Sequence, residues 1–263
     1  MQDKRADERH KRGLVRDGDI GSVARAVAVL DTLAVAETAL GVSELARRCN
    51  LPKSSVQRML KALYEQQLLE REGTRYRLGL KLFELGQHVP RQRSLREAAR
   101  PFMADLREAT GHAVHLAVLD NHDVVYLEVL RSATAPPLPT RMGGRWPAHG
   151  TGIGKAILAY ADHLVVEEVV AAGLPKLSER TISNPGLFTA ELARIRERGV
   201  AYDLEESRAG VVCVASPVHG MNGEVVAGLS VSGWHNRINL DHAAAAVRTA
   251  ALGLSRQMSM RSD

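Results

Sequence analysis

The stretch Leu51-Pro52-Lys53-Ser54-Ser55-Val56-Gln57-Arg58-Met59-Leu60 decides how the first third of the chain folds. Pro52 suits the first turn of a helix, where its missing N–H breaks no bond. Val56, Met59, Leu60 and then Leu63 recur at helical spacing along one face. Lys53, Ser54, Ser55, Gln57, Arg58 and Lys61 fall on the other side. A helix fits the major groove of B-DNA, and its first turns reach base edges. Serine hydroxyls suit phosphate oxygens, and Gln57 can pair bidentately with adenine. Arg58 either contacts phosphate or braces the helix. The same pattern also suits a solvated amphipathic helix, so the flanking sequence has to discriminate.

Upstream, Val23, Val27, Leu30, Leu33 and Ala34 mark an amphipathic helix over Ser22–Glu37, with Gly41 breaking it. Ser43 is placed to cap a short second helix, Glu44–Cys49, that turns Leu45 and Ala46 inward, and Asn50 suits its C-terminal turn. Downstream, Leu68–Arg71 and Arg75–Leu78 flank a turn at Glu72-Gly73-Thr74, which predicts a β-hairpin. Three helices followed by a hairpin bearing Arg71, Arg75 and Arg77 are the plan of a winged helix-turn-helix. The wing arginines would then lie along the DNA backbone or in the minor groove.

Composition agrees. Residues 1–89 hold 16 Lys and Arg against 12 Asp and Glu, so most of the net +5 lies there. A chain of 263 residues favours two domains. Phe, Trp and Tyr reach only 4%, so burial must rest on Ala, Val and Leu. No apolar run approaches the ~20 residues that span a bilayer. The first twenty residues are of mixed charge and lack the apolar core of a secretory leader, so a flexible charged arm is expected at 1–20. Cys49 and Cys213 form no CxxC pattern, which argues against a disulfide scaffold or cysteine zinc site and fits a reducing cytoplasm.

The domain organisation expected is an arm (1–20), a winged helix-turn-helix (21–79), a linker helix (80–93) with Pro90 as its stop, and a second domain over 94–263. That domain opens with a helix near Leu95–Thr110, then a hairpin, Ala113–Leu119 and Val124–Leu130, around Asp120-Asn121-His122-Asp123. An irregular Pro-rich stretch follows, and its 131–145 segment is expected to lid a pocket. The Gly-studded run Gly150–Gly154 leads to a helix from Lys155. Helices are expected at Leu164–Ala172, Thr189–Arg198 and Leu240–Met258, with strands at Val211–Val218 and Val225–Ser232. The second domain is therefore α+β and sensor-like.

Several stretches together resemble the IclR family of bacterial transcriptional regulators. They are Ser22-Val23-x-Arg25-Ala26-Val27-x-Val29-Leu30-Asp31, the Leu51–Leu60 stretch, Arg75-Tyr76-Arg77-Leu78-Gly79, Gly152-x-Gly154-Lys155-Ala156, Asp203-x-Glu205-Glu206 and Gly210-Val211-Val212-Cys213-Val214-Ala215-x-Pro217-Val218. The resemblance runs from about Ser22 to Met258. It implies an N-terminal winged helix-turn-helix and a C-terminal GAF-like α/β effector-binding domain. It also implies a homodimer or dimer of dimers on pseudo-palindromic double-stranded DNA, and control of a neighbouring catabolic operon. The positions matching the family's effector cavity are Gly152, Ile153, Asp203, Cys213, Ser230 and Ser232. Ile153 is bulkier than the small residue the family often carries there.

The residues themselves give partial support. Ser230 and Ser232, two apart on a strand, face one side. Glycines before Lys155 let amides approach a ligand, and a helix start favours a carboxylate, so a small organic acid is the expected effector. Cys213 alone also reads as a small buried hydrophobe, and Asp203 as a cap or ion-pair partner. The Gly run is not a Walker A loop, since His149 stands at the first glycine position and Ala156 at the Ser/Thr position. No GxSxG, HExxH or deaminase pattern occurs, so no catalytic residue, metal or cofactor is expected. His112 and His115 would point to opposite faces of a strand, and Glu205-Glu206 reads as a solvated or ion-paired couple. A small-carboxylate enzyme and an effector-independent DNA-organising protein are the alternatives.

Overall fold

The computed structural model describes residues 21–260, apart from 37, 134 and 137. The arm expected at 1–20 lies outside the described residues. The chain divides into two compact units, with the division between Pro90 and Arg91.

In the first unit, α1 (Ser22–Ala34) ends at Ala34, short of the expected end. Its successor begins differently from the expectation as well. Leu40–Gly41 form a short strand, β1, and Gly41 rather than Ser43 stands at the N-cap of α2 (Val42–Cys49). Asn50 takes the left-handed conformation, φ 53°, that closes α2. Pro52 sits at the N-cap of α3 (Lys53–Glu65), one position before the helix proper. The wing is β2 (Leu69–Glu72) and β3 (Arg75–Leu78), turned at Gly73. The antiparallel sheet runs β1-β3-β2, with Tyr76 opposite Leu40 on one side and Arg71 on the other. Val29, Leu33, Leu45, Val56, Leu60 and Leu69 form the buried core of this unit. Each such side chain contributes roughly 1.5–3 kcal/mol on burial. α4 (Leu80–Gln87) buries none of its side chains.

α4 ends at Gln87, ahead of Pro90 as expected, and Pro90 also opens the next helix, α5 (Pro90–Thr110), where a proline needs no N–H. A sheet follows, built from β4 (Ala113–Asp120), β5 (Asp123–Leu130), β6 (Arg145–Pro147), β7 (Ala201–Leu204), β8 (Val211–His219) and β9 (Val225–Trp234). Its order is β6-β5-β4-β9-β8-β7, and every pairing is antiparallel. Between β6 and β7 lie α6 (Gly152–Leu158), α7 (His163–Ala171) and α8 (Pro185–Arg198), and α9 (Leu240–Met260) closes the unit. The Lys155 helix thus starts three residues earlier than the sequence suggests, because the Thr151 hydroxyl caps it by accepting from the Gly154 amide at 3.0 Å.

Strand alternation gives the sheet two faces. Val114, Leu116, Val212, Val214 and Val231 pack with Leu95, Met103 and Leu106 of α5 and with Val247 and Leu254 of α9. Ala117, Ala201 and Ala215 instead pack with Ile153 and Ile157 of α6 and with Phe188, Leu192 and Ile195 of α8. The small residues on this second face let α6 lie close. Gly154 is part of that fit: a Cβ there would collide with the Ala148 carbonyl. The α+β expectation holds. Among the described residues no helix is long and apolar enough to cross a membrane. Nor, among the described residues, is any group of three His, Cys, Asp or Glu placed to hold a metal ion.

Candidate functional site

The outward face of α3 carries Lys53, Ser54, Gln57, Arg58 and Lys61, all exposed, while Ser55 is half-buried. Ser54, Gln57, Arg58 and Lys61 line one cleft together with Arg71 of the wing and with Tyr64 and Tyr76. Lys53 and Gln57 line a second with Arg75, Thr74 and Ser43. Gln57 stands between the two. Arg71 is held by a 2.7 Å bond from its Nε to the Gly73 carbonyl, and Arg75 donates to the Ala39 carbonyl at 3.2 Å. Arg77 is turned elsewhere: it pairs with Glu70 at 2.9 Å and borders a separate cleft with Leu33 and Thr38. The helix and wing therefore bring together most of the residues singled out from the sequence, but neither Ser55 nor Arg77. Tyr64, Tyr76 and Arg48 join the clefts unforeseen. Glu44, the acidic member, is held down to about 2 by hydrogen bonds from Arg47 and Arg48.

The second site lies within the other unit. Strand register builds it as two rungs across the sheet face under α6. One rung runs Asp203–Cys213–Ser232, and the next runs Ala215–Ser230–His115. These polar side chains enclose a pocket with Gly152 and Ile153 of α6, Tyr126 of β5, Trp146 of β6, and Leu138 and Thr140. All six residues expected at the effector cavity line it. Gly152 is required for the closeness, since a Cβ there would stand 3.2 Å from Cys213 Sγ and 3.3 Å from Asp203 Cβ. Ile153 finds its room because Gly228 lies beneath it: a Cβ at Gly228 would come within 2.7 Å of Ile153 Cγ1. The cavity is about 30 Å³, space for a water molecule or two.

Burial sets the electrostatics. Lys155, wholly buried, points its ammonium at Glu206 Oε1 rather than into the pocket, and Glu206 Oε2 has no partner among the described residues. Burial raises the carboxyls of both Asp203 and Glu206, with Lys155 acting in the opposite sense on each. Asp203 Oδ1 accepts from the Glu206 and Ser207 amides at 2.6 and 3.2 Å. Burial pushes the Cys213 thiol up to about 12, raises the Tyr126 phenol and lowers His115 to about 4. His115 Nε2 lies 3.2 Å from Thr140 Oγ1. Glu205 and Glu206 diverge: Glu205 faces Arg180 at 3.3 Å near the surface, and Glu206 goes inward. The glycine-amide argument for a carboxylate loses part of its basis, because the Gly154 amide is already taken and, among the described residues, no Lys or Arg lines the cavity. His115, Tyr126 and Thr140 were missed because nothing local in an apolar strand or a Pro-rich segment marks a pocket wall.

Known proteins share both units. Residues 22–73 match the IclR helix-turn-helix domain, and residues 87–259 match the C-terminal domain of the bacterial transcriptional regulator IclR. The HTH-type transcriptional regulator XynR of Escherichia coli K12 is 31% identical over 245 residues, covering 91% of this chain and 97% of the relative. The HTH-type transcriptional regulator BhcR of Paracoccus denitrificans Pd 1222 is 34% identical, covering 95% and 92%. The crystal structure of an IclR homolog from Microbacterium hydrocarbonoxydans complexed with 4-hydroxybenzoate superimposes with a TM-score of 0.84 at 29% identity, over 92% of this chain and 100% of that one. The Thermotoga maritima IclR structure gives 0.74 at 30% identity, over 90% and 98%. With both domains matched in order along nearly its whole length, this protein belongs to the IclR family of bacterial transcriptional regulators.

Proposed function

We propose that the protein reads a pseudo-palindromic operator through α3 and the wing, and that a small organic acid in the second unit's pocket switches it. In a homodimer, or a dimer of dimers, two copies of α3 would enter major grooves about one helical turn, ~34 Å, apart. Lys53, Ser54, Ser55 and Arg58 would take phosphates and Gln57 a base edge. Lys61, Arg71, Arg75 and Arg77 would follow the backbone or minor groove. The effector would meet Gly152, Ile153, Asp203, Cys213, Ser230 and Ser232. It acts by binding, without turnover, and the protein works in the cytoplasm on a catabolic operon nearby.

The observation carrying this reading is the convergence of those six residues, from three strands and one helix, on one cavity. The relative bound to 4-hydroxybenzoate supports an organic acid as guest. A guest larger than the present cavity selects a state with wider-set walls. It then shifts the conformational equilibrium by its differential affinity for that state. The test is a titration of the protein on its own promoter fragment, with scrambled competitor, in the presence and absence of carboxylic acids. One of the acids should change operator affinity at least several-fold, and Ser230→Ala with Ser232→Ala should remove that response while leaving operator affinity intact. Equal affinity for promoter and scrambled DNA under every condition overturns the reading.

A further inference from the structure

The pocket poses an electrostatic problem for an acid. Among the described residues lining it, the one carboxylate is Asp203, and none is a Lys or Arg. Lys155 is close enough to act on Asp203, yet its ammonium is committed to Glu206. Asp203 is also tethered: its Oδ1 accepts from two amides, Gly152 packs beside it, and Cys213 is its partner in the strand register. Two carboxylates brought together in a site of low polarity do not both stay ionised; one proton is retained between them.

Resting on the reading of this cavity as an organic-acid site, we propose that Asp203 and the effector's carboxyl group share a single proton across one hydrogen bond. Binding of an ionised acid to the ionised protein then takes up one proton from water, and no covalent bond is made or broken. Asp203 becomes the residue that sets specificity for acids over their neutral analogues as a function of pH.

The groups around Asp203 leave few other sources for such a proton. Cys213 on β8 and Tyr126 on β5 are both raised by burial, and His115 on β4, under the field of Arg131, is lowered to about 4. None of these changes charge between pH 6 and 9. Lys155 from α6 and Glu206 from the turn after β7 face Asp203 as an ion pair. Glu206 is thus the rival proton carrier, and the test separates the two.

Calorimetric titration of the full chain with 4-hydroxybenzoate, benzoate and short aliphatic monocarboxylic acids covers pH 6 to 9, in buffers of unlike ionisation enthalpy. For each acid that binds, Kd should rise with pH toward about tenfold per unit at the alkaline end, with proton uptake approaching one. Asp203→Asn retains an acceptor for the two amides and gains an N–H₂ donor, so it should bind the same acids with a flat pH profile and no uptake. Wild-type binding that is flat to pH 9 without proton uptake overturns the proposal. So does a slope that survives in Asp203→Asn, which would assign the proton to Glu206. The wild-type uptake needs no variant, so the proposal is testable even if Asp203→Asn fails to fold. If no acid binds at any pH, the organic-acid reading falls first and this proposal with it.

Discussion

The α3 face and the pocket of the second unit use similar residues in opposite surroundings. On α3 and the wing, Arg58, Lys61 and Arg71 stand in water, and ion pairs such as Arg77–Glu70 are exposed on both sides. Pairs of that kind contribute about 0–1 kcal/mol to folding. In the pocket unit Lys155 has 0% exposure and Glu206 is nearly as buried, so each charge depends on the other. Exposed charge is available for a partner and nearly neutral for stability. Buried charge is spent on stability and shapes what the cavity will accept.

The largest test of that contrast is Lys155→Met. It leaves Glu206 and Asp203 without their buried counter-charge and should lower unfolding free energy by about 3–5 kcal/mol in a urea melt. Adding Glu206→Gln should recover most of the loss, because the uncompensated charge is what costs. A Lys155→Met chain as stable as wild type would remove the distinction between the two regions.

A second test uses pH. His115 is neutral in the folded chain, lowered by burial to about 4 from an ordinary value of 6.5. The unfolded chain therefore binds the proton first. Stability from this group is complete above pH 6.5 and is lost as pH falls toward 4, by up to about 3 kcal/mol. Asp203 and Glu206 act in the other sense: their raised carboxyls make the folded state costlier as they ionise, so acid relieves it. The difference between wild type and His115→Gln isolates the histidine. The two stability curves should converge or cross as pH drops through this window, and parallel curves would mean His115 is solvated after all.

The same contrast explains what was legible in the sequence. The helix-turn-helix could be read because its two sides lie on one helix, where spacing alone separates Val56, Leu60 and Leu63 from Lys53, Gln57 and Arg58. The pocket is distributed over strands far apart in sequence. Periodicity put Ser230 and Ser232 on one side, but the rung joining Ser232 to Cys213 and Asp203 exists only through register. The family resemblance supplied those six positions; it did not supply His115, Tyr126 or Thr140. β1, β6 and β7 leave no local mark: they are as short as β2 and β3 or shorter, but no tight hairpin turn joins any of them to a neighbouring strand to reveal it. Pro90 reads as a stop, and α4 does end before it, but its second role at the start of α5 shows only in the chain that follows.

The smallest expected effects are on the exposed side, where they divide by chemistry. Arg58→Ala and Gln57→Ala should each alter folding stability by no more than about 0.5 kcal/mol, since both side chains are exposed. On operator DNA they should part. Removing a phosphate contact at Arg58 weakens binding on all sequences alike and lowers the slope of log K against log salt by about one. Removing Gln57 costs about 1–3 kcal/mol on the operator alone, relaxes the preference at one base pair and leaves the salt slope unchanged. Gln57 borders both clefts beside α3, so a base-edge role gives it a sequence-dependent signature that no solvated helix face would produce. Should both variants show the same uniform loss with the same change in salt slope, Gln57 is a backbone contact, and base reading belongs to other residues at the start of α3.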